Sequence, residues 1–450
     1  MKQLFGKVLC SKVAALRSTN PVILFFAILS GVVNAQPVPK QFESFNTFMA
    51  ETRVATVSDF SSTPDSKVTN AQSFEQMRQH ILNLYRGVEV SHSFVLDSEH
   101  FDCVPVEQQP GFRLQGSHDI AQAPPVSALR SNVRSDGAGK AVEVTSQLGP
   151  DQQFDAFGNA VGCPTDTIPM RRVTLQQMSH FETLQDFFKK GPGNDGQAPQ
   201  SGDHKPQAPD GTHKYAYTYQ SVNNLGGNAN INLWSPYVYS GEVFSLGQEW
   251  YVGGNQTAEV GMQNYPGYYG GENSKLFIYW TADGYRNTGC YNLTCGAFVQ
   301  TNSNWYFGAG FNNYSQWGGA QYEFSAQYYL YQGNWWLALG GQWVGYYPGS
   351  IYRGGQMAHY ATLIEFGGET DGYNPWPPMG SSGWASWGWS YAAYQRNVFY
   401  RDLSANTWWT TLTTVQPSSN CFTTAGPYFY NSGGWGIYFY YGGPGGYNCY

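Results

Sequence analysis

Two glutamates stand in sequence surroundings where a carboxyl group could do acid–base work. Glu259 lies in TAEVGMQN, where Ala258, Val260 and Met262 alternate with Thr257, Glu259, Gly261 and Gln263, the period of a strand with one apolar and one polar face. Glu369 lies in HYATLIEFGGET, a second strand-like run, directly after a Gly-Gly pair that lets backbone or a ligand approach closely. Two carboxyls meeting across a sheet can hydrolyse a peptide bond without a metal or a covalent nucleophile. Mutual repulsion raises the pKa of one, so that over an acidic window one is ionised and activates water while the other stays protonated and serves the carbonyl and the departing amine. They titrate as a pair, and the sequence does not say which is the base.

Other carboxyls compete. Glu323 in AQYEFSAQYY shares a polar strand face with Gln321, Ser325 and Gln327, and is expected to line the same cleft. Glu365 has the parity of Glu369 and points to the same face unless a bulge at Gly367 or Gly368 intervenes. A serine hydrolase needs a histidine and an exposed nucleophile, but the C-terminal half holds only His213 and His359 and no nucleophile elbow. No His-rich cluster suggests a metal, and no cofactor is expected.

The elements that must hold these residues are β-strands. With 12% charged and 17% aromatic residues, 53 glycines and 24 prolines, the composition suits an aromatic-packed, turn-rich β protein. A net charge of -7 offers nothing basic enough to follow a phosphate backbone, so nucleic acid is not an expected partner. At 450 residues the chain is too long for one ordinary core.

Lys2, Lys7, Lys12 and Arg17 precede the apolar run PVILFFAILSGVV and the small-residue site Val33-Asn34-Ala35, which reads as a signal peptide over 1–35 and an exported product. The run is short for a membrane span, and none is expected. Export makes the six remaining cysteines readable as disulfides. Six allow fifteen connectivities, and proximity and domain division favour Cys103 with Cys163, Cys290 with Cys295, and Cys421 with Cys449.

Residues 36–190 read as a small α+β domain. One helix is expected in SFEQMRQHILNLYRG, with Ser73 and Gln76 as a capping box, and a second through TLQQMSHFETLQDFFKKG, capped by Thr174 and Gln177 and stopped at Gly191. Short strands lie between them. Residues 191–212, GPGNDGQAPQSGDHKPQAPDGT, have no large apolar residue and read as a linker open to proteases. Residues 213–450 carry many short aromatic strand runs separated by Gly, Asn and Pro clusters, which implies an antiparallel β-sandwich or barrel.

The segments FDCVPVEQQPGFR, AEVGMQNYP, LFIYWTADGYRNTGCYNLTCGAFVQTN, GNWWLALGGQWVGYYP and IEFGGET resemble the neprosin family, an activation-peptide domain followed by a catalytic domain. That resemblance implies a secreted glutamic peptidase made as a zymogen, active in acid, cutting proteins or peptides beside proline, on an antiparallel β-sandwich. It places the two catalytic glutamates on Glu259 and Glu369 and sets Gln248, ahead of a tryptophan in FSLGQEWYVGG, as a third site residue suited to an oxyanion. The linker-separated N-terminal domain is expected to be the protein's own inhibitor, seated over the cleft. Release would follow linker cleavage, helped by acid protonating carboxylates at the contact. The expectation from a different class is a secreted carbohydrate-binding β-sandwich, with WASWGW and TWWTTL as sugar-stacking surfaces.

Overall fold

The computed structural model describes residues 42–61, 63, 65–114, 119–129, 141–149, 151–191 and 212–450. The expected signal peptide and residues 192–211 of the expected linker lie outside the described residues.

The N-terminal part opens with α1 (Phe45–Val54), α2 (Ala71–Leu84) and the short α3 (Pro110–Arg113). Its sheet joins β1 (His92–Leu96), β2 (Glu99–Pro105) and β4 (Thr167–Arg171) in antiparallel order. The turn of this chain back on itself is tied by the Cys103–Cys163 disulfide. The cap of α2 differs from the expectation. Asn70, not Ser73, accepts from the backbone N–H groups of Gln72 and Ser73, an equally good capping side chain that adds a turn at the front. α1 was not expected, because only Phe48, Met49 and Thr52 of its ten residues are buried, too thin a stripe to read.

The second expected helix is in fact two, α4 (Leu175–Ser179) and α5 (Leu184–Phe188). The Ser179 carbonyl that would continue the helix is taken instead by the N–H groups of Lys67 and Val68. Thr183 then starts a new helix by accepting from Asp186 N–H. The turn gained lets Phe187 stack on Tyr268 at 5.0 Å between ring centres.

The C-terminal part is mainly β, with two large sheets in a sandwich. Its strands are β5 (His213–Asn224), β6 (Gly226–Asn232), β7 (Glu242–Gly253), β8 (Gln256–Asn264), β9 (Lys275–Thr281), β10 (Cys290–Tyr291), β11 (Val299–Gln300), β12 (Gln321–Tyr331), β13 (Asn334–Leu339), β14 (Gln342–Pro348), β15 (Ala361–Gly372), β16 (Ala393–Arg401), β17 (Thr407–Trp409), β18 (Thr413–Val415), β19 (Thr423–Tyr430) and β20 (Gly436–Gly442). The first sheet runs β10-β9-β8-β7-β15-β5-β18 and the second β11-β14-β13-β12-β6-β16-β20-β19. The aromatic runs fill the space between: Tyr251 of β7 meets Tyr328 of β12 at 5.4 Å and Trp335 of β13 at 6.1 Å. Cys290–Cys295 and Cys421–Cys449 are both formed. No described helix is long and apolar enough to cross a membrane.

The N-terminal part grips both sheets of the sandwich. Its helices lie against the outer face of the first sheet, where Gln177 donates to the Tyr268 carbonyl and His80 Nε2 sits 2.7 Å from the Thr294 carbonyl. A separate arm joins the second sheet, where β3 (Ala141–Glu143) pairs in parallel with the start of β12, and Gln327 donates to the Ala128 carbonyl.

Candidate active site

Strand β7 is the axis of the site. Trp250 is paired with Glu259 on β8, and Leu246 with Glu369 on β15. Gln248 stands between them, opposite Gly261 on one side and Gly367 on the other. The alternation read from the sequence therefore places Glu259, Gln248 and Glu369 on one sheet face, set diagonally. The two glycines keep the floor around Gln248 open. A Cβ at Gly261 would lie 2.6 Å from Gln248 Cβ, and one at Gly367, whose φ is +153°, would lie 2.5 Å from Tyr217 Cα.

Each carboxylate has its own set of donors. On Glu259, Oε1 accepts from the Tyr285 hydroxyl at 2.5 Å and the Thr257 hydroxyl at 2.8 Å. On Glu369, Oε1 faces His213 Nδ1 at 2.6 Å, and Oε2 accepts from Gln248 Nε2 at 3.4 Å. One group joins the two. Lys190, at the end of the N-terminal part, places its ammonium 2.6 Å from Glu259 Oε2 and 2.9 Å from Glu369 Oε2. The two oxygens are thus no more than the sum of those contacts apart, about 5.5 Å. The neighbouring residues of the same tail also touch the cleft, for Phe188 offers its carbonyl to the Tyr279 hydroxyl.

The electrostatics follow from burial and charge. Burial pushes the Glu369 carboxyl up, but Lys190 and His213 outweigh it and hold the group down at about 2. For Lys190, burial works against the charge and the two carboxylates more than restore it, so its pKa is raised. Glu365, in unbroken register with Glu369 and opposite Trp250, forms no ion pair among the described residues, and Lys190 acts on it only at a distance. Burial, with Glu259 and Glu369 adding to it, pushes it up to about 8. It is held as a neutral acid at the edge of the site.

Glu323 is not at the cleft. Phe324, Ala326 and Tyr328 turn toward the first sheet, as the Tyr328 hydroxyl bonded to the Glu259 carbonyl shows, so Glu323 turns away from it. There it is bound by Arg396, Tyr394 and Asn230. The parity of that strand is as read, but strand alternation does not reveal which sheet a strand joins. His359 is likewise remote, at the end of a short turn before β15. Sequence reasoning missed Lys190, His213, Tyr285 and Thr257. His213 shares strand parity with Tyr215, Tyr217 and Tyr219, which was a readable signal, whereas Lys190 in FFKKG carries none.

The arrangement is a sandwich with two acidic side chains sharing one cation on a buried sheet face, a layout able to do paired-carboxyl chemistry. Residues 241–444 match the family model described as Neprosin. The match spans β7 to β20, so it takes in Gln248, Glu259 and Glu369 and stops short of both Lys190 and His213. It supports the neprosin family for this part of the chain and suggests a peptidase-type function.

Proposed function

We propose that the chain is the precursor of a secreted glutamic endopeptidase that hydrolyses protein substrates, beside proline, in acid, with Glu259 and Glu369 as the catalytic pair. Residues 36–190 act as its inhibitor and 191–212 as the cleavable linker. The observation that carries this reading is the Lys190 ammonium seated between the two carboxylates. A buried charge is retained only where it is paired, and this one comes from a segment that ends at a protease-prone stretch. With the tail removed, two carboxyls remain about a water's width from a common point, over a floor cleared by Gly261 and Gly367. A substrate peptide takes the place of the tail, and Gln248 lies beside the carbonyl that reacts.

The carbohydrate-binding alternative finds less support. In the tryptophan runs expected to stack on sugars, exposed Trp387 meets Trp317 at 83° and exposed Trp409 meets Phe429 at 67°, so neither pair makes a flat platform.

The test is digestion of a proline-rich protein by the full chain after processing in the linker, at pH 3 to 5. Cleavage that resists metal chelators and serine inhibitors and is lost in both Glu259→Gln and Glu369→Gln is expected. Cleavage that survives both changes refutes the assignment.

A further inference from the structure

Lys190 and His213 both hold Glu369, yet they stand on opposite sides of the linker. A cut between them lets Lys190 leave with the N-terminal part and keeps His213 on the sandwich. His213 is fixed to the sandwich as the first residue of β5, and the Thr212 carbonyl before it accepts from Trp376 Nε1 and Gly372 N–H. Its imidazole lies between two acids on β15, with Nδ1 2.6 Å from Glu369 and Nε2 3.4 Å from Asp371. A ring with a carboxylate at each nitrogen is favoured as the two-proton cation.

Glu259 is held differently. Apart from Lys190, its side-chain donors are the hydroxyls of Tyr285 and Thr257. The other groups around it, Tyr279, Tyr328, Tyr347 and Tyr352, are phenols that burial keeps protonated far above the working range. Around Glu369 and His213 stand Tyr215, Phe244, the neutral acid Glu365, and Asp371, with Tyr265 near Asp371. Once Lys190 leaves, His213 is the cation that remains at the pair among the described residues, and it touches one member only.

We propose that His213 is a positioning residue that keeps Glu369 as the carboxylate and leaves the single proton of the pair on Glu259, making Glu369 the general base and Glu259 the general acid. The assignment rests on the peptidase reading. Glu369 takes a proton from water as the water oxygen bonds to the scissile carbon, and Glu259 gives its proton to the carbonyl oxygen. In the collapse, the proton on Glu369 goes to the departing nitrogen as the C–N bond breaks, and Glu259 recovers one from the diol. Both acids end as they began. Burial lowers the His213 pKa, but Asp371 and Glu369 more than offset it, so the cation is retained.

The two assignments predict different pH profiles. Activity needs the base ionised, which sets the acid limb of kcat/KM, and the acid protonated, which sets the alkaline limb. In the linker-processed full chain, His213→Gln removes the cation from Glu369 and is expected to move the acid limb up by about one pH unit, a tenfold loss on that limb, with the alkaline limb unmoved. Asp371→Asn, which weakens the imidazolium without removing it, is expected to move the same limb by less, and serves where His213→Gln does not fold. Movement of the alkaline limb instead reverses the roles and overturns the proposal, as does a profile that neither variant shifts. If the processed wild-type chain cleaves no peptide at any pH, the peptidase reading fails and the assignment falls with it; a normal wild-type profile beside unshifted variants rejects the role of His213 alone.

Discussion

Lys190→Met keeps the length and apolar stem of the side chain and removes only the ammonium. In the uncut chain that ammonium is 2% exposed and touches two carboxylates that are themselves buried. Glu369 is held at about 2 against an ordinary 4.5, a difference of about 3 kcal/mol at 1.4 kcal/mol per pH unit. Lys190 and His213 produce that shift together against burial, and removing one partner of a buried ion pair costs ~3–5 kcal/mol. Taking ~3 kcal/mol, the open fraction of the uncut chain rises by about two orders of magnitude. A fluorogenic peptide assay on uncut chain at pH 5 measures this directly, with the linker checked for cleavage after the run. Lys190→Met is expected to hydrolyse peptide where the uncut wild type does not. An uncut variant as silent as the wild type, with the same melting temperature, would refute the idea that this ammonium holds the cleft shut.

The remaining predictions concern pH. Burial depresses the pKa of His80 below its ordinary 6.5, so the undocked form binds more protons below that pH and docking weakens as the pH falls through it; His80→Gln is expected to flatten this slope in the affinity of the cleaved N-terminal part at pH 7 and pH 5. Glu365 is raised from 4.5 to about 8, so the folded chain keeps a proton that the unfolded chain releases. Its contribution is full below 4.5 and is lost as the pH rises through about 8, up to roughly 5 kcal/mol. Glu365→Gln is therefore expected to narrow the difference in melting temperature between pH 5 and pH 8, and an unchanged difference would remove Glu365 as its source.

Strand period made much of this legible, because side chains two apart share a face whatever the strand's neighbours. That is why Glu259, Glu365 and Glu369 could be given faces from the sequence. It is also why Glu323 misled: its parity is regular, but sheet membership depends on long-range pairing, and β12 lies in the second sheet. Long-range competition explains the helix that split, since the Ser179 carbonyl is captured by Lys67 and Val68, far upstream in the chain. Of the three Asn-X-Ser/Thr runs, Asn255-Gln-Thr, Asn292-Leu-Thr and Asn313-Tyr-Ser, the asparagine side chain of the second is buried and caps Ile278 N–H, while Asn255 and Asn313 are exposed. Lys190 was unreadable in principle. Nothing in FFKKG distinguishes a lysine that ends a helix in water from one threaded between two acids.

The grip of the N-terminal part determines what a cut in the linker can do. The tail at the carboxylates, the helices on the first sheet and the arm beside β12 are all made by residues before Gly191, so cleavage between 192 and 211 breaks none of them. What it changes is the tether. A short tether holds its partner at an effective concentration on the order of millimolar, and once cut the same contacts must compete with dilution. Acid alone is a weak key at the carboxylates, because Glu369 stays ionised down to about 2 while Lys190 is in place. One acid-sensitive contact is His80 against the Thr294 carbonyl, because burial resists the charge that the ring takes up when undocked as the pH falls. The sandwich, with Glu249 as well as Glu365 raised by burial, gains stability over the same fall. On the proposed function, cutting and acidification are complementary: the first makes the docked state dilutable, and the second loosens the N-terminal part while firming the sandwich it leaves.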